Sequence, residues 1–115
     1  MVEMLRAKIH RVKITQLELD YVGSITLDEA LLEASGILPN EKVQVVNINN
    51  GARFETYAIK GERNSGIAGL NGPCSRLAMP NDVVIVMAFA QMSIEEAKIH
   101  EPTIIFPDEN NILGK

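Results

Sequence analysis

The stretch YVGS, residues 21–24, sets a serine directly after a glycine. A serine hydroxyl can attack the carbonyl of the preceding residue and turn that amide into an ester. Glycine in that position has no Cβ, so it reaches strained backbone angles and leaves room for a tetrahedral intermediate. Elimination from the ester, then hydrolysis, would leave a new chain start bearing a ketone. That is a pyruvoyl group, built from Ser24 itself. Gly-Ser pairs are common in turns, so the dipeptide alone does not separate this chemistry from an ordinary turn.

Three other stretches carry reactive side chains. In KIH, strand periodicity puts Lys8 and His10 on one face, with Ile9 on the other. In ARFETYA it puts Arg53, Glu55 and Tyr57 on one face, and Phe54 and Thr56 on the opposite one. An arginine there can grip a carboxylate with its planar fork, and a tyrosine can donate a proton. In LNGPCS, the backbone amides near Asn71 and Gly72 can line a pocket, and Cys74 is a thiol with no base assigned to it. Taken singly, these read as wet strand faces and a tight turn.

The elements that must position them are short strands broken by turn signals, with two short helices. LRAKIHRVKIT alternates as a first strand. TLDEALLEASG reads as a helix, with Thr26 and Glu29 as a capping box, an apolar stripe of Leu31, Leu32 and Ala34, and Gly36 as a left-handed stop. KVQVVNI and ARFETYAI flank NNG, which predicts a hairpin with Asn50 and Gly51 in a type I′ turn. IAGL is a short strand before the turn NGPCS. DVVIVMAFA suits a strand buried on both faces. SIEEAKI is a second helix, with Ser93 and Glu96 as its capping box, and TIIF is a late strand before a loosely held ILGK tail. So many short strands predict an all-β chain in a closed or nearly closed barrel, because closure removes exposed edges.

The 115 residues fit one domain. Hydrophobic residues are 46% and aromatics only 4%, so the core must come from aliphatic side chains. A net charge of −4 argues against nucleic acid as a partner, which needs a basic face. The apolar run at residues 83–90 is far short of the roughly 20 residues of a membrane span. The N-terminus lacks a secretory pattern, and a single cysteine excludes an internal disulfide, so a cytoplasmic location is expected. His10, His100 and Cys74 give no metal-ligand spacing, and no metal is expected.

In order and spacing together, KIHR, LDYVGSITLDEALLEASGIL, VNINNGARFETYAI and LNGPCSRLAMPNDVVIVMAFAQM resemble the pyruvoyl-dependent aspartate 1-decarboxylase family. The resemblance runs from about Met4 to about Asn111. It implies a six-stranded double-psi β-barrel, mainly β with two short helices, assembled as a homotetramer. It implies self-cleavage between Gly23 and Ser24 into a β chain, 1–23, and an α chain, 24–115. The implied reaction is L-aspartate to β-alanine and CO2, supplying pantothenate and so coenzyme A. The implied cofactor is the pyruvoyl group of Ser24, which forms a Schiff base with the substrate, rather than pyridoxal phosphate.

By resemblance Tyr57 is the proton donor, and Thr56 serves both substrate contact and cleavage. Arg53, Lys8, Asn71, Gly72, Pro73 and Cys74 bind substrate, with His10 a lesser member. Strand alternation turns Thr56 away from Tyr57, so either the strand is irregular or the two serve neighbouring sites across a subunit boundary. A maturation factor is a partner the sequence leaves open. The chain departs from the family's usual small residues at Pro73, Cys74 and Ser75, and from its occasional tryptophan at Val46. Pro73 removes a backbone donor. The competing reading is a non-catalytic β-barrel that binds a ligand or serves assembly; such a barrel has no need of Gly23-Ser24, Arg53 and Tyr57 as a set.

Overall fold

The computed structural model describes residues 1–114. Eight strands form one sheet in the order β2-β6-β3-β5-β4-β7-β1-β8. They are β1 (Val2–Lys13), β2 (Gln16–Glu18), β3 (Ser24–Asp28), β4 (Lys42–Asn47), β5 (Arg53–Gly61), β6 (Ala68–Asn71), β7 (Val83–Met92) and β8 (Thr103–Ile105). The helices α1 (Glu29–Ser35) and α2 (Ile94–Ile99) are short, as expected. The run β6-β3-β5-β4-β7-β1 contains six strands, with the three-residue β2 and β8 outside it. Its ends meet. The Thr15 N–H donates to Ala68 O at 2.8 Å, and β2 continues alongside β6, so the chain leaving β1 closes onto the far strand. This mainly β architecture, with the chain running from β1 through Thr15 to β6, is the one expected.

Alternation builds the core. Ile9 and Val12 from β1, Ile25 and Leu27 from β3, Val43 and Val45 from β4, and Val84 and Val86 from β7 are all buried. Removing aliphatic side chains of this kind from water stabilises by about 1.5–3 kcal/mol each. The β7 segment is not buried on both faces. Val84, Val86 and Ala88 turn inward, whereas Val83, Ile85 and Met87 stay half-exposed and Phe89 is exposed. An antiparallel strand between β1 and β4 needs only one apolar face here. β1 carries a bulge where Arg11 takes a φ of 77°, and its register to β7 shifts between Ile9 and Val12.

Four local expectations change. Thr26 is not a helix cap; it lies inside β3. Asp28 caps α1 instead, accepting from Ala30 N at 2.8 Å. Its carboxylate also accepts from Asn64 N at 2.9 Å and Gly66 N at 2.8 Å, which ties the loop between β5 and β6 to the end of β3. Ser35, not Ala34, completes the buried face of α1. The hairpin turn is longer than a type I′ pair. The Asn47 N–H reaches Ala52 O, Gly51 N–H returns to Asn47 O, and only Gly51 has positive φ. NGPCS becomes a 3-10 helix, Gly72–Leu77.

Other expectations stand. Gly36 ends α1 in left-handed geometry, and Ser93 with Glu96 forms the capping box of α2. The tail is a correction: it is not loosely held, since Leu113 packs against the core and Asn111 is buried, which holds the segment through residue 113; Lys115 lies outside the described residues.

Candidate functional site

Ser24 opens a strand; it is not the middle of a turn. β3 pairs with β6 in antiparallel register, Ser24 opposite Asn71 and Thr26 opposite Gly69. Ile25 and Leu27 point to the core, so Ser24, Thr26 and Asp28 share the other face. Ser24 is nonetheless only 1% exposed and Asn71 3%. A polar group that deep must be bonded. The Ser24 hydroxyl donates to Val22 O at 3.3 Å, and Asn71 Nδ2 donates to Ser24 Oγ at 2.9 Å. Asn71 Nδ2 also donates to Thr26 Oγ1 at 2.9 Å.

The chain then turns at Gly72, with φ of 75°, into the 3-10 helix. That turn presses against the backbone before Ser24. A Cβ on Gly72 would lie 2.7 Å from Gly23 Cα, 2.9 Å from Gly23 N and 3.0 Å from Tyr21 O. Only glycine permits this approach. Gly23 itself packs more loosely, its nearest neighbour Pro73 Cδ at 3.9 Å from an added Cβ. Cys74 Sγ follows, donating to Asn71 O at 3.1 Å, with Ser24 O at 3.7 Å. Burial pushes the Cys74 thiol above its ordinary pKa. At neutral pH it is a neutral donor to these carbonyls and not a thiolate nucleophile.

Tyr57 and Thr56 stand at the corner of this site. β5 pairs with β4 through Arg53–Tyr57 and with β3 only from Ala58 onward. Ile25 pairs with Ala58, so the preceding residues Ser24 and Tyr57 stand level on the adjoining strands. Beyond Ser24 the first half of β5 has no β3 beside it. There Thr56 and Tyr57 both border an open cavity of about 320 Å³ with Lys42 and Glu55. The alternation of Thr56 and Tyr57 persists, and the missing neighbour strand is what lets both reach one cavity.

Lys8, His10 and Arg53 are not at this corner. Arg53 lies four residues from Tyr57, about 13 Å along an extended strand. It is exposed, and its Nη1 donates to Gln44 Oε1 at 2.6 Å. Lys8 pairs with Met87 and Ile104 in the middle of β1, seven residues before Thr15, the residue that reaches β6. His10 meets the Phe106 ring edge-on at 5.5 Å. These three residues occupy the outer face of the sheet, beside half-exposed Val46, Ile85 and Met87. One protomer therefore gathers Gly23, Ser24, Asn71, Gly72, Pro73 and Cys74, sets Tyr57 level with Ser24 on the adjoining strand with Thr56 beside it at a neighbouring cavity, and holds Lys8, His10 and Arg53 apart.

Thr26 is a site residue that the sequence reading placed in a helix cap. The signal for it was the alternation of SITLD, polar at 24, 26 and 28 and apolar at 25 and 27. Among the described residues no group of three or more His, Cys, Asp or Glu could hold a metal ion. No helix among them is long and apolar enough to cross a membrane.

The Gly72 contact makes a prediction for a Gly23-Ser24 bond that breaks. Gly72→Ala should displace the Gly23 backbone and slow cleavage by about 10²-fold, the cost of misplacing reacting atoms by an ångström. Gly51→Ala, whose Cβ would meet nothing within 4 Å, should cleave at the parent rate. Electrophoresis of both variants over time measures this; equal rates would remove the steric constraint.

Known proteins resemble the chain along nearly all of its length. Residues 1–113 match the family described as aspartate decarboxylase. The chain is 65% identical to the aspartate 1-decarboxylase of Cytophaga hutchinsonii over 97% of each chain. It is 58% identical to that of Caldicellulosiruptor saccharolyticus over 100% of this chain and 90% of the relative. With that of Carboxydothermus hydrogenoformans the identity is 59%, over 97% and 88%. A match that spans the barrel from the first strand to the tail, at this identity, places the chain in the aspartate decarboxylase family.

Proposed function

We propose that the protein cleaves itself between Gly23 and Ser24 and decarboxylates L-aspartate to β-alanine with the pyruvoyl group so formed. The observation that carries this reading is the setting of Ser24: buried, at the end of a strand, its hydroxyl held by Asn71 and the preceding backbone pinned by Gly72. A non-catalytic barrel has no use for a buried serine at a crowded glycine junction. The residues suit the group. The cradle at Gly72 is one that a Cβ would fill, and Cys74 offers its hydrogen on the side of the Ser24 carbonyl.

Maturation would use the chain's own atoms. Ser24 Oγ attacks the Gly23 carbonyl carbon and the C–N bond breaks, giving an ester. Loss of the Ser24 α-hydrogen then expels the Gly23 carboxylate. Water adds to the resulting unsaturated residue, and ammonia leaves. The ketone that remains supplies an electrophile for the substrate amine and a sink for the electrons left when CO2 departs. Tyr57 returns a proton to the α-carbon. Asn71, Gly72, Pro73 and Cys74 line the pocket, with one fewer backbone N–H because of the proline. Arg53 grips the carboxylate that stays, since an ion pair to the departing one would stabilise the ground state. Lys8 draws in the dianionic substrate, with His10 beside it. β-Alanine is a precursor for pantothenate and coenzyme A, a cytoplasmic role.

Lys8, His10 and Arg53 come to the site from a second copy. What supports this is their distance from Ser24 in one protomer and the half-apolar face they occupy, where Phe89 and Ile104 remain 39% and 38% exposed. A homotetramer would cover that face. Whether a maturation factor speeds the cleavage is settled by comparing purified protein with protein in cell extract.

Three outcomes are expected. Ser24→Ala stays intact on denaturing gels and releases no CO2 from aspartate; CO2 release by that variant would exclude the pyruvoyl group. Tyr57→Phe cleaves normally but turns over at least about 10²-fold more slowly, the range of general acid catalysis. Full β-alanine production by Tyr57→Phe would assign the proton to another group. Co-assembled Arg53→Ala and Ser24→Ala chains recover activity that neither has alone. A mixed assembly as inactive as its parents would put each site within one protomer.

A further inference from the structure

The Asn71 carboxamide has two N–H bonds, and both end inside the Gly23-Ser24 site. One goes to Ser24 Oγ and the other to Thr26 Oγ1, each at 2.9 Å. The Ser24 hydroxyl hydrogen points to Val22 O, which leaves its lone pairs free to receive. Register explains the reach. Asn71 meets Ser24 straight across the β3–β6 pair and Thr26 on the diagonal, past Gly69, which has no side chain.

We propose that Thr26 is a positioning residue for the self-cleavage at Gly23-Ser24: it accepts one N–H of Asn71 and so keeps the other aimed at Ser24 Oγ. The inference rests on the reading of Gly23-Ser24 as a bond the chain breaks. Oγ takes part in two steps, first as nucleophile and then as leaving oxygen. As it attacks the Gly23 carbonyl carbon, it loses its proton, the C–O bond forms and the C–N bond breaks, with the proton passing to the Ser24 nitrogen. In the elimination, Cα loses its hydrogen as a proton, and the Cβ–Oγ bond breaks with its electron pair leaving on Oγ. A donor already fixed on Oγ holds the nucleophile in place for the first step and stabilises the charge that leaves on it in the second, without reorganising. Lacking the Thr26 acceptor, the carboxamide would hold an unpaired N–H in a buried place and would turn to satisfy it. Once Oγ has left with Gly23, Thr26 is the remaining acceptor of the pair and keeps Asn71 facing the pocket.

The test follows cleavage by intact-mass spectrometry, in freshly purified proenzyme with cell extract added, for the parent chain, Thr26→Val and Thr26→Ser. Valine keeps the branched shape and removes the acceptor; serine keeps the acceptor and removes the methyl. Thermal melts of each proenzyme run alongside. We expect Thr26→Val to cleave about tenfold more slowly, the loss of roughly one hydrogen bond. Thr26→Ser should stay within about twofold of the parent, and the valine proenzyme should still melt in one cooperative transition as a folded protein, since valine and threonine both favour strands. If the melt shows that the valine variant misfolds, Thr26→Ala takes its place with the same expected slowing. Parent-rate cleavage without the hydroxyl overturns the proposal, as does a serine variant as slow as the valine one, which would make the methyl the cause. A parent chain that never cleaves overturns the underlying reading and this inference with it, and it shows before any variant is compared.

Discussion

The backbone turn at Gly72 leaves no space for a side chain, and everything at the site depends on that contact. It brings the 3-10 helix against Gly23, so the peptide before Ser24 is confined from one side. Asn71, one residue earlier, confines it from the other by holding Oγ. The two restraints come from consecutive residues at the end of one strand. Their geometry is therefore set by the pairing of β6 with β3 and by little else.

That pairing is itself well supported. Ile25 and Leu27 lock one face of β3 into the core, where a one-residue slip would bury Ser24 and Thr26 among aliphatic chains. At the far end, Asp28 binds three backbone N–H groups from α1 and from the loop before β6. Bonds to an ionised carboxylate are the stronger kind, about 1.5–3 kcal/mol each. The polar face of β3 is thus fastened at its end by a structural carboxylate and carries at its start the one hydroxyl on which chemistry is proposed. Fixing the strand at Asp28 fixes Ser24 four residues away.

The sequence was most informative where local chemistry decides the outcome. The Ser93–Glu96 box and the stop at Gly36 need only their own neighbours, and both formed as read. Thr26 failed as a cap because SITLD and DEALLEAS run together, and Thr26–Glu29 has the same spacing as a true capping box. The tie is broken by Asn64 and Gly66, which bind Asp28 from far along the chain. Asn50 stays in the turn but without the positive φ of a type I′ pair, for a similar reason. Asn47 Nδ2 is engaged by Leu77 O and Asp82 Oδ2, and that tertiary anchor sets the start of the loop. The wide separation of Lys8 and Arg53 from Ser24 was not legible from strand faces alone. Alternation says which side a residue takes, and only strand order says how far away it stands.

The central claim is that Ser24 gives up its own peptide link to become a ketone. Mass spectrometry of the purified protein, before and after borohydride, tests it most directly. Two polypeptides are expected, one ending at Gly23 and one starting at a pyruvoyl group that borohydride reduces. A protein that converts aspartate while remaining one unbroken chain, with Ser24 still an alcohol, would contradict it.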